Sequence, residues 1–254
     1  MRITVLGKSP AWQDAGGACS GYLVESATTR LLLDCGPGVF GKLRAACDYA
    51  EVDAVVLTHL HADHFLDLVP FASALAYGPR WARAPAPRPP LHAPPGGRER
   101  FAALCTVAGM SPTHIDGRFA VREYDPAEQL EVGDLRVRFQ PVPHYVPANA
   151  VDVADGSGRF TFGADCGPSE ALVAFAAGTD LLLVEAAVTE PDDGEPRGHM
   201  TPAEAGEHGR RAGARRLVVT HISDELDLDG ALAAASEAYG DRAELAAEGA
   251  VYEL

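Results

Sequence analysis

The sequence predicts an α/β protein: two sheets stacked face to face with helices outside, a four-layer αββα sandwich. Three observations predict it. Short apolar runs of strand length recur along the chain, and many are apolar on both faces rather than alternating. Runs with helical apolar spacing follow strands in both halves. The chain has 254 residues and 47% hydrophobic content, enough for a large core that layers of sheet and helix would bury together.

The first half opens with strands expected at 2–6, 21–26 and 30–34, a helix from about Val39 to Cys47, and the strand Ala54-Val55-Val56-Leu57-Thr58. Helical spacing then runs from Phe65 to Tyr77. Residues 78–97 are rich in proline with arginines between, and Leu91-His92-Ala93 reads as a short strand within an ordered surface loop. Arg98 to Ala108 reads as helix. In the second half, strands are expected at 119–124, 135–140, 150–154 and 159–163, a helix at 168–177, and the strand Asp180 to Val184. Thr201-Pro202-Ala203-Glu204 opens a helix that runs to about Gly213. Thr201 is its N-cap, Pro202 its first residue, and Glu204 completes a capping box. The strand Arg216 to Thr220, a helix near 229–239 and two closing strands complete the chain. Each half reads as a sheet followed by helices, with too little identity between halves to make a repeat.

Ligand-type side chains collect where these strands end. Residues 59–64 read His59-Leu60-His61-Ala62-Asp63-His64, three imidazoles and a carboxylate in six positions after the apolar run 54–58. His and Asp suit a borderline metal such as zinc. His144 follows Phe139-Gln140-Pro141-Val142-Pro143, Asp165 follows Phe160-Thr161-Phe162-Gly163-Ala164, and His221 follows Leu217-Val218-Val219-Thr220. His199 precedes the helix capped by Thr201. One histidine at a strand end is usually a satisfied polar residue. Several together occupy the positions that would converge on one edge of stacked sheets.

Composition narrows the partners. A formal net charge of −15 argues against nucleic acid held by bulk electrostatics, but leaves room for a small anionic substrate near bound metals. Five cysteines without close spacing favour reduced thiols and a cytoplasmic location. The first residues lack the apolar run of a secretory signal, and no stretch approaches the roughly 18 apolar residues of a membrane span, so no membrane association is expected.

These residues together resemble the metallo-β-lactamase fold superfamily. The matching positions are Asp34 in Leu33-Asp34-Cys35-Gly36, the group His59, His61, Asp63 and His64, then His144, Asp165 in Gly163-Ala164-Asp165, and His221 in Thr220-His221. Order and spacing fit over nearly the whole chain, which implies one domain spanning 1–254. The resemblance implies an αββα sandwich with a dinuclear site, usually zinc. By that resemblance His59, His61 and His144 hold one metal. Asp63, His64 and His221 hold the other, Asp165 bridges, and Asp34 orients the ligands through hydrogen bonds. Such sites also accept manganese or iron.

Within the superfamily the chain looks like the ribonuclease Z-like branch. Gly198-His199-Met200-Thr201 ahead of an Ala/Glu-rich helix carries the likeness, with Thr4-Val5-Leu6-Gly7, Gly21-Tyr22-Leu23-Val24-Glu25 and Gly163-Ala164-Asp165-Cys166-Gly167-Pro168. That branch holds tRNA 3′-processing endonucleases and small phosphodiesterases, some acting on cyclic nucleotides. Its resemblance makes His199 the acid that protonates the leaving group, and it allows a homodimer. The tRNA-processing members carry an inserted arm, in many of them between the positions matching His144 and Asp165. Here some twenty residues separate these, enough for a strand pair. With the acidic balance, this lowers the tRNA reading and favours a compact phosphodiester such as a cyclic nucleotide. Endonuclease action on tRNA 3′ ends, and hydrolysis of carboxylic esters, lactones or thioesters, stay open.

Two metals about 3.5–4 Å apart can bridge a water, bring its pKa toward about 7 and neutralise charge on a phosphoryl oxygen. Asp63 is expected to ligate a metal and orient that hydroxide. His199 is expected outside the metal shell, within reach of the departing oxygen. Other patterns point to structure. Gly36-Pro37-Gly38-Val39-Phe40-Gly41 has dinucleotide-fingerprint spacing, but Pro37 removes a backbone donor and no acidic residue closes the next strand, so it reads as a tight turn beside the metals. Gly7-Lys8-Ser9 lacks the first glycine of a phosphate loop. Cys166 reads as a small buried residue in a turn rather than a nucleophile or soft ligand. His92, His114 and His208 have no convergent partners.

Overall fold

The computed structural model describes residues 1–191 and 197–254. Two seven-stranded sheets form, each with helices on its outer side. The first sheet contains β1 (Arg2–Gly7), β2 (Gly21–Glu25), β3 (Arg30–Leu33), β4 (Ala54–Val56), β5 (Pro90–Ala93), β6 (Ala120–Glu123) and β14 (Val251–Glu253), in the order β14-β1-β2-β3-β4-β5-β6. The second contains β7 (Leu130–Val132), β8 (Leu135–Val142), β9 (Ala148–Ala154), β10 (Arg159–Phe162), β11 (Leu181–Glu185), β12 (Leu217–Thr220) and β13 (Glu244–Leu245), in the order β13-β12-β11-β10-β9-β8-β7.

The layers follow from the alternation of side chains along each strand. In β3, Leu31 and Leu33 enter the core between the sheets, and Leu32 enters a second core beneath the helices α1 (Val39–Ala46), α3 (Leu68–Tyr77) and α4 (Gly97–Val107). In β11, Leu181 and Leu183 face the first sheet, whereas Leu182 and Val184 pack under α5 (Glu170–Phe175), α6 (Pro202–Ala212) and α7 (Leu228–Tyr239). Both faces of these strands are covered, so Leu31-Leu32-Leu33 and Leu181-Leu182-Leu183-Val184 are unbroken apolar runs. The expected αββα sandwich is the architecture observed.

Four details differ from the sequence expectation. The strand near 119–124 joins the first sheet as β6, parallel to β5, instead of opening the second. The two closing strands part company: β13 extends the second sheet and β14 pairs antiparallel with β1 in the first. The helix expected over 65–77 breaks into α2 (Ala62–Phe65) and α3, because the chain turns immediately after the ligand-rich loop. The short β7 was not anticipated. It is three residues long and half-exposed, and it forms a hairpin with β8 whose turn includes Gly133 in the left-handed region. The helix opened by Thr201 is as expected, with both capping-box hydrogen bonds present and Gly213 ending it in the left-handed conformation.

Strand direction positions the site. β3 and β4 are parallel, as are β10, β11 and β12, so their C-terminal ends lie side by side. Asp34, Thr58 and His59 follow one group; Asp165, Glu185 and His221 follow or end the other.

Candidate metal centre

The loop after β4 carries His59 and His61, and α2 carries Asp63 and His64. His144 comes from the loop joining β8 to β9, Asp165 from the end of β10, and His221 from the end of β12. These residues, separated by up to 162 positions in sequence, form two donor sets. His59, His61, His144 and Asp165 make one; Asp63, His64, Asp165 and His221 make the other. In each set the donor atoms lie within 4.8 Å of one another. Asp165 belongs to both. Its Oδ2 is 3.1 Å from His221 Nε2 and 3.8 Å from His59 Nε2, and its Oδ1 is 3.3 Å from His64 Nε2. His61 Nδ1 and His144 Nε2 face each other at 2.9 Å.

The imidazoles are aimed by hydrogen bonds at their far nitrogens. His144 Nδ1 donates to the Gly198 carbonyl at 2.7 Å, and His64 Nδ1 donates to Asp34 Oδ2 at 2.7 Å. The Thr58 hydroxyl donates to Asp34 Oδ2, so it accepts from His59 Nδ1 at 3.0 Å. Ser20 Oγ lies 3.2 Å from His221 Nδ1. Each partner leaves Nε2 pointing inward with its lone pair free for a cation. His59 Nε2, His64 Nε2 and Asp165 Oδ1 are buried without a hydrogen-bond partner among the described residues. Orphaned buried polar atoms are costly, and a coordinated ion would satisfy all three. The donor chemistry fits a metal pair, and the cluster is able to bind metal ions.

Electrostatics favour ligation at most of these groups. His64 is the exception: burial opposes its charge, but Asp165 and Asp34 raise its pKa well above the ordinary value, so a cation there must displace its proton. Burial pushes His59 well below its ordinary pKa and His221 down to about 4, so both are neutral near pH 7. Burial opposes ionisation of Asp165, but the neighbouring His221 and His64 hold it well below the usual carboxylate range. Among the described residues, three non-glycine residues have left-handed backbones, Asp34 (φ 59°), Ala164 (φ 57°) and His221 (φ 50°). All lie at or beside the site, where surrounding structure holds strained backbone. Gly36 is needed for space: a Cβ there would lie 1.9 Å from the Asp63 carbonyl oxygen. The glycine-rich turn is thus packed against the ligand loop.

His199 stands at the edge of the cluster, its ring centroid 5.8 Å from that of His221 and 5.1 Å from that of His144. It belongs to neither donor set. Its Nδ1 meets Glu185 Oε1 at 2.8 Å. Glu185 is fully buried at the end of β11 and also accepts from the Cys166 and Ala187 amides. Burial opposes charging of His199, yet the Glu185 carboxylate raises its pKa above the ordinary value. Sequence reasoning missed Glu185, because the expected strand stopped at Val184. The signal was there: a carboxylate ending an apolar run, in line with Asp165 and His221 at the ends of the adjacent strands.

The remaining candidates are structural. The Cys166 thiol is buried and pushed far above its ordinary pKa, unlike a nucleophile. His208 Nε2 accepts from the Ser169 amide while Nδ1 donates to the Glu204 carbonyl. His114 meets the Ser73 hydroxyl, and His92 is buried on β5.

The fold and this cluster are those of the metallo-β-lactamase fold, with two donor sets able to hold metal ions. More narrowly, the chain belongs to the beta-lactamase superfamily: the profile of the Beta-lactamase superfamily domain matches residues 29–222. It is 32% identical to the "Probable metallo-hydrolase YhfI" of Bacillus subtilis (strain 168) over 87% of each chain. The crystal structure of that YhfI superposes with a TM-score of 0.88, covering 99% of this chain and 98% of that one at 28% identity. A "Ribonuclease Z" of Myxococcus xanthus (strain DK1622) is 30% identical, covering 100% of this chain and 98% of that one.

Proposed function

We propose that the protein is a phosphodiesterase dependent on two metal ions, zinc first among them, and that it acts on a small phosphodiester such as a cyclic nucleotide. The observation that carries this reading is the Glu185–His199 pair beside a double donor set: an imidazole hydrogen-bonded to a buried carboxylate stands next to the two sets without belonging to either, where it would serve as proton donor. Two bound zinc ions would supply a hydroxide nucleophile at neutral pH and neutralise charge on a phosphoryl oxygen. His59, His61 and His144 would hold one ion and Asp63, His64 and His221 the other, with Asp165 shared by both sets. Asp63 also has a carboxylate oxygen to orient the attacking group. Glu185 accepts from His199 Nδ1, fixing the ring so that Nε2 presents its proton to the leaving oxygen. Asp34 holds His64 in register.

A small substrate is favoured by the net charge of −15 and by the short link between His144 and Asp165, which is spent on β9, β10 and their turns. Endonuclease action on tRNA 3′ ends is the second reading, favoured by the full-length similarity to the Myxococcus ribonuclease Z. Metal-loaded protein assayed on cyclic nucleotides, bis(p-nitrophenyl) phosphate, precursor tRNA and a lactone tests both. Cyclic nucleotide turnover is expected. Precursor tRNA cleavage alone would establish the second reading, and lactone turnover with no phosphodiester cleavage would overturn both. His199→Ala is expected to lower turnover by roughly 10²–10⁴-fold on substrates with poor leaving groups and far less on p-nitrophenyl esters. Equal loss on both classes would remove the acid role.

A further inference from the structure

We propose that Tyr145 is a specificity-determining residue, a stacking platform at the mouth of the metal centre that selects substrates bearing a planar aromatic group beside the reacting ester. This rests on the hydrolase reading only in placing the substrate's phosphoryl group at the two donor sets.

Tyr145 is one of the few large apolar side chains exposed among the described residues, 52% exposed, and it directly follows His144 of the first donor set. Its ring centroid is 5.1 Å from that of His144 and 5.6 Å from that of His199. It therefore touches one residue from the first donor set and the residue placed at the leaving oxygen. A substrate whose phosphoryl group sits at the two donor sets and whose leaving oxygen reaches His199 brings its ester substituents toward the phenol ring. The ring's place is made by Gly198, where a Cβ would lie only 2.4 Å from the ring carbons. Gly198 thus serves twice, its carbonyl aiming His144 and its bare Cα accommodating Tyr145. The contacts with His144 and His199 hold the ring in place, so little conformational freedom is left to lose on binding. A fixed, half-exposed aromatic face is the feature that planar groups stack upon, whatever their hydrogen-bonding pattern.

Zinc-loaded protein is titrated calorimetrically with adenosine 5′-monophosphate and with ribose 5-phosphate, which share sugar and phosphate and differ by the base. Wild type is expected to prefer the first by about tenfold or more. Tyr145→Phe should keep that preference. Tyr145→Leu, which fills similar volume without a π-face, and Tyr145→Ala should bring it to within about twofold, with ribose 5-phosphate affinity unchanged. A wild type that shows no preference or binds neither compound overturns the proposal, as does a preference that survives in Tyr145→Ala. So does an equal loss of both ligands in the Leu and Ala variants, which would make the ring a support for the site. Absence of phosphodiester turnover in the substrate panel would sink the phosphodiesterase reading and leave this binding ratio standing.

Discussion

At the scale of single residues, the site is built by groups that never reach the centre. Asp34 accepts from the Thr58 amide and hydroxyl and from His64 Nδ1, and it does so from a left-handed backbone. Such backbone costs on the order of 1–3 kcal/mol, which the surrounding bonds must offset. Asp34→Asn keeps the shape but replaces a carboxylate oxygen or turns an N–H toward His64. Zinc affinity, read by competition with a chromophoric chelator, should fall roughly 10–100-fold while the far-UV circular dichroism is unchanged. Unaltered affinity would reduce Asp34 to a backbone anchor. The seven residues that the structure brings together in the two donor sets were legible in the sequence at the ends of apolar runs or in the dense 59–64 group, whereas Asp34 was legible only through the family resemblance. Ser20, Thr58 and Gly198 were not. A hydroxyl or a carbonyl aiming an imidazole leaves no mark in spacing, since only the folded pairing decides which nitrogen it meets.

At the scale of elements, apolar runs marked where strands lie but not which neighbours they choose. Leu31-Leu32-Leu33 and Leu181 to Val184 announce strands buried on both faces, and they are. That β6 pairs with β5, and β14 with β1 across nearly the whole chain, depends on long-range register that local periodicity does not encode. Helix starts are different, because capping is local. Thr201 Oγ1 accepts from the Glu204 amide, and Glu204 returns a bond to the Thr201 amide, as the four-residue pattern announces. Thr201→Ala removes one half of this box at the start of the helix that follows His199. It should lower the unfolding free energy in urea by about 1 kcal/mol, with Thr201→Ser recovering most of it. An unchanged urea midpoint would show that burial against its neighbours is enough to hold α6.

At the scale of the whole molecule, the donors are divided between the sheets. His59, His61, Asp63 and His64 follow a strand of the first sheet; His144, Asp165 and His221 follow strands of the second. Each donor set takes members from both sides, so a cation bound there joins the two halves of the sandwich along one edge. His59 Nε2, His64 Nε2 and Asp165 Oδ1 are buried without a hydrogen-bond partner among the described residues. A folded state that binds metal far better than the unfolded chain would be stabilised by mass action. At free zinc about 100 times the dissociation constant, each site should contribute about 2.7 kcal/mol. For a chain of this size that raises Tm by roughly 5–10 °C per site. Calorimetry of chelator-treated protein, with zinc then added stepwise, should show Tm climbing with concentration. Asp165→Ala, which takes a donor from both sets, should lose most of the climb. A rise of the same size in that variant would mean that zinc stabilises the chain elsewhere, and that the edge where the sheets meet is not where it binds.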